Sequence, residues 1–211
     1  MEKDEIVKLV AQEIIAREMR VPIPVTVSNR HVHVDESARK ILFGDAPLRV
    51  KKFLGQPGEF AAEETVMVIG PKGHFDSVRI VGPERKACQM EISVGDCYHL
   101  GVRPVVRDSG DIDGTPGVYL VGPCGMVQMQ QGVIVAKRHI HMVPQDAEKY
   151  GVKNKQLVRI RYDTGMRKGI LGDVLVRVNE NYALECHLDI EEANALCIKN
   201  NDTVYMEIGE I

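Results

Sequence analysis

From residue 24 onward the chain is built of short apolar and β-branched runs, each closed by a turn signal. The runs fall at residues 24–27, 65–69, 77–81, 89–93, 118–121, 132–136, 157–162, 173–178, 183–188 and 204–208. Gly70-Pro71, Gly82-Pro83, Asp113-Gly114 and Gly122-Pro123 separate many of them. Many short strands with few long helices predict barrels or sandwiches rather than a sheet of βαβ units. Short helices are expected at 36–43, after Asp35 and before Gly44, and from Pro144 to Gly151. A third should follow Asp189, whose spacing to Glu192 resembles a capping box. Near the N-terminus the period changes. Ile6, Val7, Val10 and Ile14 share one helical stripe, with Lys3, Lys8, Gln12 and Glu18 mostly away from it. An amphipathic helix is therefore expected within residues 1–21, stopped by Pro22 and Pro24.

Composition narrows the function classes. At 211 residues the chain suits one large domain or two of about 100 residues. A net charge of −3, no Trp and four Phe argue against nucleic acid as a partner. No apolar run approaches the ~20 residues of a membrane span and no signal-peptide pattern opens the sequence, so a cytoplasmic protein is expected. Cys88, Cys97, Cys124, Cys186 and Cys197 are odd in number and include no Cys-x-x-Cys pair. Reduced, mostly buried thiols follow.

The strongest chemical signal is a repeat. Arg30-His31-Val32-His33-Val34 returns as Arg138-His139-Ile140-His141-Met142, about half the chain later. Both copies follow a β-type run and precede a short helix. Residues two apart on a strand share a face, so each pair presents two imidazoles side by side, suited to chelating one metal ion. His187 lies before a helix in the same way and supplies a third nitrogen for one pair; Glu185, two residues earlier, shares its face as a ligand or a partner behind the ligands. His74 and His99 lack such a setting. Pattern alone does not separate Glu91, on the face of Gln89, from other carboxylates. Arg85 and Lys86 follow the Gly82-Pro83 turn and could hold an anion, but spacing alone favours plain surface charge. The spacing of the repeat predicts two similar β-barrel domains, 22–112 and 113–211, behind an N-terminal segment 1–21.

Several segments in order give a more specific match. Ser28-Asn29-Arg30-His31-Val32-His33, Gln56-Pro57-Gly58-Glu59-Phe60-Ala61-Ala62-Glu63, Val81-Gly82-Pro83-Glu84-Arg85, Gln89-Met90-Glu91-Ile92-Ser93, residues 132–142 and Glu185-Cys186-His187-Leu188-Asp189 resemble the PduL-type phosphate propanoyltransferases. These are phosphotransacylases associated with bacterial microcompartments. The resemblance covers roughly residues 22–197. It implies two β-barrel domains and a two-zinc site, with His31, His33 and Glu91 on one ion and His139, His141 and His187 on the other. It further implies that Arg85 binds phosphate and that the turn at Gln56 contributes to a coenzyme A groove. Gln89 and Glu185 would stand behind the ligands. Acyl-CoA, phosphate and CoA become the expected substrates and products. The N-terminal helix becomes a candidate contact with microcompartment shell or cargo, and a homo-oligomer is compatible with either location. Two other functions fit the residues: a two-zinc thioester or ester hydrolase, and a non-enzymatic, zinc-stabilised assembly module. Three protein ligands per ion argue against the last, because structural zinc sites are usually closed by four.

Overall fold

The computed structural model describes Glu5 and residues 20–207. The amphipathic helix expected before Pro22 lies, Glu5 apart, outside the described residues, as does the end of the strand expected at 204–208. Among the described residues no helix is long and apolar enough to cross a membrane.

The architecture is mainly β. In chain order the elements are β1 (Val21–Ser28), β2 (His31–His33), α1 (Glu36–Phe43), β3 (Val50–Phe53), β4 (Phe60–Ile69), β5 (His74–Gly82), β6 (Gln89–Glu91), α2 (Val94–Leu100), β7 (Val106–Arg107) and β8 (Val118–Val121). Then come β9 (Met126–Met129), β10 (Val133–Ala136), β11 (His139–Met142), α3 (Pro144–Tyr150), β12 (Leu157–Tyr162), β13 (Gly169–Val178), β14 (Glu185–Asp189), α4 (Ile190–Leu196) and β15 (Thr203–Glu207). Six strands close a barrel in the order β1-β14-β11-β13-β12-β15. The others form an open sheet, β7-β10-β6-β2-β5-β4-β8-β9, with β3 paired to β4. Each unit has its own apolar core. Val32, Leu42, Ile80, Met90 and Leu120 lie in that of the open sheet, and Ile23, Ile140, Met142, Ile160 and Leu188 in that of the barrel.

The three helices expected from the sequence are present. Asp35 caps α1 through the Ala38 N–H, Pro144 opens α3, and Asp189 with Glu192 forms a reciprocal capping box on α4. The sequence reading missed α2, whose Ser93 and Asp96 form the same reciprocal box. An internal Gly95 and only seven residues gave it little helical periodicity.

Sheet membership departs from the expected division after residue 112. β1 belongs to the closed barrel, where it runs parallel to β14 (Val25 opposite Cys186) and antiparallel to β15. β8, β9 and β10 belong to the open sheet, with β10 parallel to β6 (Val133 opposite Met90). Val25 and Val133 occupy equivalent places relative to the two His motifs, so the crossing is reciprocal. Each strand leading into a His motif is hydrogen-bonded into one unit, while the motif itself lies in the other.

This exchange makes folding of the two halves interdependent. Fragments 22–112 and 113–211, produced separately, should lack cooperative thermal unfolding by circular dichroism, because β1 is removed from its barrel and β8–β10 from their sheet. Mixing them should restore a cooperative transition. A cooperative melt by either fragment alone would contradict the interdependence.

Candidate active site

Alternation along very short strands sets the site. In β2 and β11 the residue between the two histidines, Val32 or Ile140, is fully buried in its own core, so both imidazoles turn the other way. The neighbouring strands repeat the arrangement. β6 runs antiparallel to β2, placing Glu91 opposite His31 and Gln89 opposite His33 around the buried Met90. β14 runs antiparallel to β11, placing His187 opposite His139 and Glu185 opposite His141 around the buried Cys186. The two faces meet across one cleft of about 800 Å³, lined by both sets of residues.

In the first cluster, His31 Nδ1–H donates to the Asn29 carbonyl (2.9 Å) and His33 Nδ1–H to the Val81 carbonyl (2.9 Å). A carbonyl oxygen cannot donate, so the neutral rings carry bare lone pairs on Nε2. Those two Nε2 atoms stand 3.1 Å apart. Glu91 completes the group, with oxygens 3.7 Å from His31 Nε2 and 3.9 Å from His33 Nε2. Burial, followed by His31 and Arg85, lowers the pKa of His33 to about 3, which leaves its Nε2 lone pair free for a cation at neutral pH. Two nitrogen ligands of a tetrahedral ion lie roughly 3.3 Å apart, given metal–nitrogen bonds of about 2.0–2.1 Å. Burial pushes the Glu91 pKa up, but His31, His33, Ser109 and Arg85 outweigh it and hold the group below the usual carboxylate range.

Glu91 is positioned from behind. Gln89 Nε2 donates to its Oε1 (2.7 Å), as does Ser109 Oγ (2.8 Å), while Gln89 Oε1 accepts from the Gly110 N–H. Arg85 joins this network: Nη1 donates to Ser109 Oγ (3.0 Å) and Nη2 to Glu59 Oε1 (3.2 Å).

In the second cluster His139 Nδ1–H donates to the Lys137 carbonyl (2.8 Å), again leaving Nε2 bare. Neither ring nitrogen of His141 has a partner, nor does His187 Nε2, although these atoms are buried. Leaving a buried polar atom unpaired costs about 1–3 kcal/mol, so these atoms are suited to holding a ligand. The three rings pack with centroids 4.6–4.9 Å apart, and Tyr182 stacks on His141 at 4.1 Å. Burial, followed by the neighbouring rings, lowers His141 to about 2 and lowers His139 as well, which keeps both neutral and able to ligate. Glu185 Oε2 lies 3.0 Å from His187 Nε2 but outside hydrogen-bond alignment. Its pKa falls to about 2 despite burial, through His187, Thr26 and Gln56. In each cluster the potential ligand atoms all lie within 4.8 Å of one another.

The structure therefore brings together His31, His33 and Glu91, then His139, His141 and His187, with Gln89 and Glu185 adjoining them and Arg85 in the same cleft. Gln56 behaves differently from the expected contact with coenzyme A. It is buried, and its amide donates to Ala183 O (3.1 Å) and Glu185 Oε2 (2.9 Å) while accepting from the Ala183 N–H (3.2 Å). With its polar atoms committed, Gln56 ties the turn after β3 to the barrel and steadies Glu185. His74 and His99 lie apart from both clusters, His74 near Asp76 and His99 donating to the His74 carbonyl.

Sequence reasoning missed Ser109, Glu59, Tyr182 and Arg177, all in or beside the cleft. Arg177 did leave a signal. It is the one charged position in the run Val174-Leu175-Val176-Arg177-Val178, on the face opposite the buried Val174 and Val176. Ser109 and Glu59 lie in turns, where pattern carries no facing information.

The family model for phosphate propanoyltransferase matches residues 24–199. A phosphate propanoyltransferase of Thermotoga maritima is 52% identical over 185 residues, covering 87% of this chain and 88% of the relative. Those of Rhodopseudomonas palustris and Rhodobacter capsulatus are 50% and 45% identical, covering 86% and 93% of this chain and 80% and 92% of the relatives. The cleft, its two histidine clusters and Arg85 all fall within the matched span: the chain belongs to the phosphate propanoyltransferase family.

Proposed function

We propose that the chain reversibly transfers a short acyl group from coenzyme A to inorganic phosphate, with propanoyl-CoA or acetyl-CoA as donor, at a site holding two zinc ions. One observation carries this reading: two groups of three ligand atoms, each short of a closed tetrahedral set, share one cleft with an arginine. Family membership supports phosphate acyl transfer, and the donor set supports zinc. His31, His33 and Glu91 would hold one ion, and His139, His141 and His187 the other. When bound, zinc supplies fixed positive charge and an open position for an oxygen of a substrate.

The chain's own residues account for orientation. Arg85 presents a planar fork into the cleft, one arm on Ser109 and one on Glu59. Arriving phosphate displaces the Glu59 contact and takes that arm, so the guanidinium is aimed before substrate binds. Ser109 also donates to Glu91, which couples the position of Arg85 to that of the carboxylate. Binding a phosphate oxygen beside the thioester turns an encounter of two solutes into a reaction between neighbours, which lowers the barrier through orientation.

The decisive assay is release of free thiol from propanoyl-CoA and acetyl-CoA with and without phosphate. Release should require phosphate and yield acyl phosphate. Phosphate-independent release would favour thioester hydrolysis instead. Metal content gives a separate check: purified protein should carry about two zinc equivalents per chain, with His31→Ala losing mainly one and His139→Ala mainly the other. Protein with no transition metal after gentle purification would sink the ligand assignment. For Arg85, lysine keeps the charge but loses the fork. Arg85→Lys should raise the KM for phosphate about tenfold or more, given the ~1.5–3 kcal/mol typical of a charge-assisted hydrogen bond, with zinc content unchanged. Near-wild-type activity of Arg85→Ala at limiting phosphate would show Arg85 to be a turn residue only.

A further inference from the structure

The two halves of the cleft differ in charge. In the first, Glu91 contributes a carboxylate and Arg85 is paired with Glu59. The second is built from three imidazoles with no carboxylate among the candidate ligand atoms. Arg177 stands in this second half. β13 runs parallel to β11 with Arg177 directly opposite His141, and its side chain lines the cleft. The matching place in the open sheet, next along from Ile80 opposite Val32, is Val81, which offers only its carbonyl to His33. Arg177 is thus a departure from the repeat.

Its partners are few. Nη2 donates weakly to the Tyr182 hydroxyl at 3.4 Å, and the guanidinium carbon lies 5.9 Å from the Tyr182 ring centre. The arginines that precede the two His pairs are neutralised, Arg30 by two hydrogen bonds to Asp96 and Arg138 by Glu192, while Arg79, opposite His31, gives its guanidinium to the Ala62 and Glu63 carbonyls. Among the described residues no carboxylate forms an ion pair with Arg177. Tyr182 stacks on His141 and so fixes the arginine close to the second cluster. A half-buried cation held next to the reacting centre, without an internal counter-charge, is suited to an anion that arrives or develops there.

We propose that Arg177 is a catalytic residue of the transfer reaction, donating to the thioester carbonyl oxygen as negative charge develops on it. The inference rests on the acyl-transfer reading above. Phosphate is already assigned to Arg85. The phosphates of coenzyme A lie at the far end of the pantetheine arm, away from the thioester, so the anionic group that forms beside the second cluster is the carbonyl oxygen. In the step, an oxygen lone pair of hydrogen phosphate forms a bond to the carbonyl carbon, and the C=O π pair moves onto the oxygen, to which the Arg177 N–H groups donate. The pair then returns, the C–S bond breaks, and its electrons leave on sulfur. The proton that began on hydrogen phosphate ends on the thiol, giving acyl phosphate and free coenzyme A.

The test is steady-state kinetics of full-length Arg177→Gln and Arg177→Lys with propanoyl-CoA and varied phosphate, alongside zinc content and thermal melting. Removing one oxyanion donor typically lowers turnover about 100- to 1,000-fold. Arg177→Gln should show a kcat loss of that order, with KM for phosphate within about threefold of wild type and metal content unchanged. Arg177→Lys should recover part of the loss, and guanidinium added to Arg177→Ala should raise its rate. A rise in phosphate KM at constant kcat would overturn the proposal by making Arg177 a second phosphate arm. Unchanged kinetics would overturn it by reducing Arg177 to a neighbour of Tyr182. Thiol release by wild type that ignores phosphate would instead overturn the acyl-transfer reading itself, a result visible before any Arg177 variant is measured.

Discussion

Everything in the cleft depends on how β2 and β11 are held. Each is three or four residues long, too short to be stable by itself, and each must keep one apolar residue in a core while turning two imidazoles outward. Both are central strands, flanked on each side: β2 by β5 and β6, β11 by β13 and β14. A slip of one residue would bury the imidazoles and expose Val32 or Ile140, so burial in the two cores enforces the register. The reciprocal crossing of β1 and β10 adds to this. The chain entering each His motif is anchored in the opposite unit, which keeps the two histidine faces opposed across a single cleft.

The arginine preceding each pair has a structural task. Arg30 grips both oxygens of Asp96 at 2.7 and 3.0 Å, and Asp96 is the acidic member of the capping box on α2. Arg138 donates to Glu192, the acidic member of the box on α4, and to the Gly172 carbonyl. Each helix follows the strand that supplies the third candidate ligand, Glu91 on β6 or His187 on β14. The arginine of the motif therefore locks the strand bearing two candidate ligands to the helix that fixes the third. Glu191 strengthens the join between units, accepting from Ser93 Oγ and the Gly95 N–H at the start of α2. Charge-assisted hydrogen bonds of this kind favour one geometry, and a metal site tolerates little else.

What could be read in the sequence follows from the range of the interactions involved. The histidine repeat, the caps of α1, α3 and α4, and the β-rich pattern are local, and each left a local trace. Glu91 did not: on pattern it is one carboxylate among many, and only the family resemblance singled it out, because its place opposite His31 arises from pairing between distant strands. The exchange of β1 and β10 was hidden for the same reason, since a strand's sequence does not name its partner. Gln56 shows a different limit. Its turn was conspicuous, yet whether an amide points to a ligand or to Ala183 and Glu185 depends on how closely the units approach, down to a Gly55 whose added Cβ would strike the Glu185 carboxylate.

The repeat is most informative where it fails. Position for position, Glu91 in one half corresponds to His187 in the other, and Gln89 to Glu185, so a carboxylate stands among the ligand atoms in one cluster and behind them in the other. A carboxylate among the ligands offsets the charge of a bound cation; three neutral imidazoles leave it in full. Glu185 softens the difference without removing it, because Thr26 and Gln56 already claim its oxygens. Arg177 adds a cation on the imidazole side; on the carboxylate side Arg85 has Glu59 against it and Arg79 is held by the Ala62 and Glu63 carbonyls. The two His motifs thus occupy equivalent sets of positions, and the few that differ make the two ends of the cleft unlike. In the proposed reaction the first end would hold phosphate, and the second would face the charge that develops on the thioester carbonyl. A transfer between two different substrates is served by unlike ends, and the residues that differ between the halves, Glu91 against His187 and Val81 against Arg177, supply that difference.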